Sequence, residues 1–139
     1  MNTLIITKDD IDSDGFYKTH SLDFDGDIEI TENLGVVKFK GFIRARLSIN
    51  AKAGSGIKAG RGIEAGWGIT AGRGIKAGCG IKAGWGITAG LSIHAKYISC
   101  GLRIFAGTSI YKLPSDSEMM IFGEIRKGVI AHGIFGEMK

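Results

Sequence analysis

The chain contains a six-residue repeat that runs without interruption from Gly56 to Leu91. Each copy reads Gly-Ile-X-Ala-Gly-Z, where X is Lys, Glu or Thr and Z is Arg, Trp, Cys or Leu, and a degraded copy follows at 92–97. Self-similarity at a short fixed period is typical of solenoids, in which a repeat buries its apolar face only by stacking on its neighbours. The repeat therefore predicts a stacked coil.

Alternation within each copy predicts short β-strands. Ile and Ala lie two residues apart, so they share one face of a strand and the residue between them occupies the other face. A helix is disfavoured because two glycines in every six residues would each cost about 1 kcal/mol relative to alanine. The Gly-x-Gly between strands is expected to form a corner, because glycine adopts backbone angles that other residues avoid. The expected core consists of Ile57, Ile63, Ile69, Ile75, Ile81, Ile87 and Ile93.

A longer period sets the number of sides in each coil. Trp67 and Trp85 lie 18 residues apart, and each opens the same string, Trp-Gly-Ile-Thr-Ala-Gly. A 12-residue echo is absent, so we expect three six-residue sides per coil, with coils stacked about 4.8 Å apart. The predicted fold class is all-β, a single-stranded parallel β-helix (β-solenoid) of triangular cross-section. Over residues 37–111 this pattern resembles the hexapeptide-repeat β-helix family, whose members wind three six-residue sides per coil.

We expect a single domain, 1–139, that has three parts. Residues 1–36 are acidic and are predicted to form an N-terminal cap and early coils, and residues 37–111 are predicted to form the solenoid. Residues 112–139 are predicted to form a C-terminal cap, because solenoid ends need atypical capping segments. Pro114 lies in a polar stretch that reads as a loop. After it we expect a β-hairpin, with strands over 119–125 and 129–135 joined at 126–128.

Composition excludes several classes of protein. No run of 18 apolar residues is present, and the start lacks a basic region followed by a cleavage site, so we expect a cytoplasmic protein with no membrane partner. Cys79 and Cys100 are expected to be free thiols in a reducing compartment. The three histidines are far apart, and no nucleophile elbow, phosphate loop or Cys-x-x-Cys motif occurs. We therefore expect no enzyme and no cofactor.

One short motif resembles a calcium loop. The stretch from Asp10 to Gly15 reads Asp-x-Asp-x-Asp-Gly, but the twelfth position is Ser21 instead of the bidentate Glu that such a loop requires. A turn is the favoured interpretation, and no metal is expected.

Candidate binding residues lie at the corners and on the strand faces. An interior filled by Ile and Ala has no partner for a guanidinium group, so the residues flanked by glycine are expected to point outward. A period of 18 aligns Ile49, Trp67, Trp85 and Arg103 in one column, which could recognise a partner through aromatic and cation–π contacts. The alternative left open is that a terminal segment or a second copy covers this column.

The same period aligns a basic column. Lys40, Lys58, Lys76 and His94 fall at this spacing. The column could attract nucleic acid or an acidic protein surface, or simply keep the surface soluble. The complete set of candidate binding residues is Trp67, Trp85, Arg103, Arg61, Arg73, Lys58, Lys76 and Lys82.

Three function classes remain. Small regular solenoids without a catalytic set resemble proteins of phages and mobile elements, and that resemblance implies a non-enzymatic inhibitor of a host protein, such as a restriction or CRISPR nuclease. Its partners would be a host protein or protein–nucleic-acid complex, together with a second copy bound through the tryptophan corner or the caps. The alternatives are a structural module of a fibre, spike or filament, and a direct binder of nucleic acid or another polyanion.

Overall fold

The computed structural model describes residues 2–31, 33–52, 54–108 and 115–136. These residues form a parallel β-solenoid of about five turns, which confirms the expected fold class. Two single-turn 3-10 helices, Lys8–Asp10 and Ser117–Met119, are the helical elements of the described residues. The strands are β1 (Thr3–Ile6), β2 (Leu22–Phe24), β3 (Asp27–Ile30), β4 (Gly35–Phe39), β5 (Ile43–Ala45), β6 (Ile49–Ala51), β7 (Ser55–Ala59), β8 (Ile63–Ala65), β9 (Ile69–Ala71), β10 (Ile75–Ala77), β11 (Gly80–Ala83), β12 (Ile87–Ala89), β13 (Ile93–Phe105), β14 (Met120–His132) and β15 (Ile134–Gly136).

The strands stack in parallel on three sides. The first side contains β4, β7 and β10, the second contains β2, β5, β8 and β11, and the third contains β1, β3, β6, β9 and β12. The long strands β13 and β14 continue around the corners and contribute to all three sides. The triangular coil expected from the sequence is thus formed.

The coil length varies along the solenoid. Ile57 pairs with Ile75, so the coil inside the regular repeat spans three copies of the repeat, as expected. Val37 pairs with Ile57, so the coil before it is longer by two positions, and Ile81 pairs with Ile98, so the coil after it is shorter by one. Corners outside the regular repeat therefore gain or lose residues, which changes the outward residues that share a column.

The core contains the inward isoleucines that alternation predicted, stacked in one column on each of the three sides. The seven expected isoleucines are each no more than 1% exposed. The alanines two positions after them are also buried, so each strand contributes one large and one small inward side chain. Burial of an isoleucine contributes about 1.5–3 kcal/mol relative to exposure, so each of these residues makes a large contribution to stability.

Close approach of neighbouring coils requires the glycine that directly follows the strand alanine at several corners, as at Gly66, Gly78 and Gly84. No glycine between Gly56 and Gly90, a stretch that is described throughout, has a positive φ angle, so the conformational reason expected from the sequence is wrong. A Cβ on Gly66 would lie 2.0 Å from the carbonyl oxygen of Arg46, in the coil before it. A side chain at this position would push the stacked backbones apart.

The N-terminal segment continues the solenoid and covers its end. Strand β1 pairs in parallel with β3, and β2 pairs with β5, so these strands belong to the coil. Tyr17 is buried and packs on Phe39, with 5.2 Å between ring centroids. The segment between β1 and β2 therefore closes this end of the core.

The C-terminal segment is a further coil, and the hairpin expected there is wrong. Strand β14 continues through residues 126–128 and pairs in parallel with β13, and β15 returns in parallel onto Met120–Phe122. The inward isoleucines of β14 stack on those of β13, which a hairpin would not allow. Gly123, Gly128 and Gly133 have positive φ angles and form the bends. Pro114 lies outside the described residues.

Candidate functional site: the second side and its corners

An apolar column runs along the corner between the second and third sides. The Trp67 N–H donates to the carbonyl of Leu47 at 3.0 Å, and the Trp85 N–H donates to the carbonyl of Trp67 at 2.9 Å. The Leu102 N–H in turn donates to the carbonyl of Trp85 at 2.8 Å. These bonds place Leu47, Trp67, Trp85 and Leu102 in one column, here called the tryptophan ladder.

The two indoles stack as the long period of the sequence predicted. Their ring centroids are 5.0 Å apart and their planes differ by 1°. Trp85 is 53% exposed and Leu102 is 61% exposed, whereas Trp67 is half-buried. Such a pair contributes about 0.5–1.5 kcal/mol beyond its buried area, so the stack holds both rings in one orientation. The ladder is a rigid, outward-facing apolar ridge.

Two members of the expected column do not belong to it. Ile49 pairs with Ile69 and is buried in the core, and Arg103 lies one residue beyond the ladder, paired with Val129. The longer coil before the regular repeat and the shorter coil after it cause this shift. Within the described residues, the cation–π contacts fall on phenylalanine and tyrosine rings and none falls on the two tryptophans.

The outward residues of the second side carry charges of both signs, and the first four alternate between negative and positive. In register they are Asp23, Arg44, Glu64, Lys82, Ser99 and Lys127, here called the charged column. Arg44 lies 3.5 Å from the Asp23 carboxylate and 3.3 Å from the Glu64 carboxylate. All three side chains are about half exposed, so these ion pairs contribute little to folding and remain open to a partner.

A shallow groove lies at the corner between the first and second sides. Its floor is Gly62 and Gly80, its ends are Phe42 and Tyr97, and its volume is about 220 Å³. The Tyr97 ring lies directly over Gly80, so a Cβ added at Gly80 would be only 2.0 Å from the ring. We call this feature the glycine groove.

A guanidinium group stacks on the aromatic ring at each end of the glycine groove. Arg44 lies 4.9 Å from the Phe42 centroid, and Arg126 lies 4.1 Å from the Tyr97 centroid.

The first side carries a basic column, but with a different first member. Lys38 is in register with Lys58, in place of the expected Lys40, because that coil is two positions longer than the regular one. Lys76 and His94 continue the column as expected. Burial, and then the charge of Lys76, lowers the pKa of His94, so its imidazole is neutral at pH 7. The positive charge of the column therefore ends at Lys76, and the neutral His94 ring stacks on Phe122, with 4.6 Å between ring centroids.

The candidate binding residues divide among different surfaces. Trp67, Trp85 and Lys82 lie on the second side and its corner. Lys58 and Lys76 lie on the first side. Arg61 and Arg73 are exposed at the two other corners, as the sequence predicted, and Arg103 lies beside the ladder. The structure thus places Lys82 on the side that ends at the two tryptophans and sets Lys58 next to Lys76, but it does not gather the whole set on one surface.

The thiols and the acidic loop behave as expected. Cys79 and Cys100 are free, Cys79 is exposed, and burial raises the pKa of the Cys100 thiol. The Asp12 carboxylate accepts the backbone N–H groups of Asp14 and Phe16, both at 2.9 Å, so the Asp-rich stretch forms the predicted turn. Among the described residues, no three His, Cys, Asp or Glu side chains are grouped as a metal site would require.

Sequence reasoning missed Leu47, Leu102, Phe42 and Tyr97. A usable signal was present, because each ladder residue lies two positions before an inward isoleucine of the third side. Phe42 and Tyr97 similarly lie directly before inward isoleucines of the second side. Counting back from these isoleucines, instead of adding a fixed period, identifies both columns.

Comparison of this chain with protein-family models, with curated proteins and with solved structures finds no match. In the described part of the chain, no helix is long and apolar enough to cross a membrane.

Proposed function

We propose that this chain is a non-catalytic, macromolecule-binding solenoid of the hexapeptide-repeat type that acts in the cytoplasm. The observation that carries the proposal is the stacked pair of Trp67 and Trp85, flanked by Leu47 and Leu102, on an exposed corner. Large aromatic side chains dominate the energetics of protein interfaces, and contiguous exposed apolar surface marks interaction sites.

The scaffold favours binding because the ladder is already ordered. Its backbone is held by hydrogen bonds of 2.8–3.0 Å to adjacent coils, and each indole restrains the other. Ordering a flexible side chain at an interface costs about 0.5–1.5 kcal/mol, which this arrangement largely avoids. A preformed aromatic ridge is therefore well suited to a partner with an apolar groove.

For the partner we propose a host defence protein, such as a restriction or CRISPR nuclease. The proposal follows the functional analogy with small solenoids of phages and mobile elements. The basic column of the first side supports it, because a protein surface of negative potential attracts such a column.

Replacing both tryptophans tests the proposal. The variant Trp67→Ala/Trp85→Ala should keep the fold, because neither ring fills the coil interior, but should lose partner binding. The assay is phage plating on cells that carry a restriction or CRISPR system. We expect wild type to restore plating and the double variant to lose at least about tenfold of that effect.

The matched control is Thr70→Ala/Thr88→Ala. These threonines are also one coil apart and point outward, but they lie on the third side. Their replacement by alanine should leave phage plating at the wild-type level. Equal losses in the two double variants, or no restoration by wild type in any defence background tested, would contradict the proposal.

A second candidate function is direct binding of a polyanion. Of the described carboxylates, none lies within ion-pair distance of Lys58 or Lys76, although the two lysines are adjacent in the column. Like charges at neighbouring strand positions destabilise a sheet, so this column favours an anionic ligand over a role in folding.

Charge reversal of the column tests this candidate. Lys58→Glu/Lys76→Glu should weaken retention on DNA and lower the slope of log affinity against log salt by about two, because two phosphate contacts are lost. Arg61→Glu/Arg73→Glu makes the same change in net charge at two corners, outside the basic column, and should have a smaller effect. Absence of wild-type retention at low salt would reject polyanion binding.

A further inference from the structure

We infer that the second side, with its two corners, is a self-complementary surface on which two copies of this chain pack as an antiparallel homodimer. The inference rests on the proposed binding role of the same surface and names a second copy as its occupant, so a host protein would bind through the tryptophan ladder only when the dimer has dissociated. Three neighbouring columns support it. In the two corner columns the order of side-chain sizes is the same from either end. In the charged column, most positions that the twofold brings together carry opposite charges.

The tryptophan ladder is symmetric in size. Its order is Leu47, Trp67, Trp85 and Leu102, that is, small, large, large, small. A twofold axis perpendicular to the solenoid, passing between the two indoles, brings the tryptophans of one copy beside those of the other. Leu47 then lies opposite Leu102 of the second copy. A twofold interface requires this kind of self-complementarity.

The glycine groove is symmetric about the same level. Its order is Phe42, Gly62, Gly80 and Tyr97, with two glycines in the centre and an aromatic residue at each end, although the Tyr97 ring covers Gly80 and no such contact joins Phe42 to Gly62. The same twofold places Phe42 opposite Tyr97 of the second copy. A single twofold axis therefore brings similar side chains together at both corners of the second side.

The two stacked guanidinium groups do not oppose this arrangement. Arg44 already lies 3.3 Å from the Glu64 carboxylate, and Arg126 lies 3.6 Å from the Glu124 carboxylate. Each positive charge is therefore partly neutralised within its own chain before the two copies meet.

The charged column is antisymmetric, as an antiparallel pair requires. About the midpoint between Glu64 and Lys82, the operation places Glu64 opposite Lys82 of the second copy. It places Asp23 opposite Lys127, and Arg44 opposite the neutral Ser99. A parallel twofold would instead bring each charge against its own copy, which costs free energy. The charges therefore select the antiparallel arrangement.

The other two sides lack this property. The first side presents Lys38, Lys58 and Lys76, which would repel their counterparts. The third side presents Glu29, Asn50, Thr70 and Thr88, in which the single negative charge has no positive charge to meet across a twofold. Among the described residues, the second side alone combines exposed aromatic side chains at a corner with charges of both signs along its outward column.

The available area indicates a weak dimer. Six stacked positions at about 4.8 Å and a six-residue side at about 3.3 Å per residue give a face of roughly 30 by 20 Å. Two such faces bury on the order of 1,200 Å² together, the lower end of the range for specific interfaces. We therefore expect a dimer whose population rises with protein concentration.

Sedimentation velocity over a concentration series tests the dimer. Wild type should pass from monomer to dimer. Glu64→Lys and Lys82→Glu each place like charges opposite one another at two symmetric contacts, and each should weaken association at least about tenfold. Both side chains are exposed, so melting temperatures should stay near that of wild type.

The decisive sample is a mixture of the two variants. In the mixed pair, both glutamates of one chain lie opposite both lysines of the other, so association should return although neither variant associates alone. Lys76→Glu, on the first side, is the control and should leave wild-type association unchanged. A monomeric wild type at the highest soluble concentration, larger polymers, or a mixture that stays monomeric would overturn the inference.

The dimer and the proposed function fail in distinguishable ways. A wild type that restores phage plating but stays monomeric removes the dimer and leaves the binding role intact. A wild type that dimerises as described but has no effect on plating supports the dimer and removes the proposed inhibition of a host defence protein.

Discussion

Replacement of Ile75 by Asp is expected to prevent folding. Ile75 is fully buried and lies in register between Ile57 and Ile93, at the centre of the regular repeat. An unpaired carboxylate in this narrow apolar interior costs several kcal/mol, against a total stability of about 5–15 kcal/mol. A solenoid is held together by contacts between neighbouring coils, so a break here separates both halves. Circular dichroism should show loss of β-structure.

Two controls isolate the effect of the buried charge. Ile75→Val removes one methylene group and should cost only about 0.5–1.5 kcal/mol. Lys76→Asp introduces the same carboxylate at the next residue, whose side chain is exposed, and should leave the fold intact. A soluble Ile75→Asp protein with an unchanged spectrum and melting temperature would show that the inward face is wrongly assigned.

The second large effect is expected at Gly66. Its added Cβ in Gly66→Ala would lie 2.0 Å from a backbone carbonyl oxygen of Arg46, which can move only if the coils separate. Overpacking of this kind costs about 1–3 kcal/mol, and a rigid backbone contact favours the upper end. The free energy of unfolding in denaturant is the appropriate measurement.

Gly68 provides the matched control for that substitution. It flanks Trp67 on the other side, but a Cβ there would lie 3.5 Å from the carbonyl oxygen of Gly86, an ordinary contact. Gly68→Ala should therefore change stability by no more than about 0.5 kcal/mol. Similar losses at both positions would show that conformational freedom, and not close approach, explains these glycines.

In the proposed dimer, the basic columns of both copies come to the same edge. The twofold places each corner of one copy against the same corner of the other, so the two corners between first and second sides are adjacent in the dimer. Each first side, with Lys38, Lys58 and Lys76, then flanks this edge. A dimer would present two such columns to an anionic surface, and paired sites bind more tightly than either site alone.

The sequence by itself determined the local features of this protein. Alternation of Ile and Ala identified the inward face, because side chains of a strand alternate between two faces. The long-period echo identified the stacked pair of Trp67 and Trp85, since both lie inside the regular repeat. The free thiols and the turn at Asp12 were also predicted correctly.

Only the tertiary structure decided how coils align beyond the regular repeat. Leu47 and Leu102 extend the ladder in place of Ile49 and Arg103, and residues 120–136 form another coil instead of a hairpin. The physical reason is that the register between coils is set by stacking of inward isoleucines, which is a non-local interaction. The extra or missing residues lie in the corners. A fixed residue spacing therefore fails to identify stacked residues wherever a corner changes length.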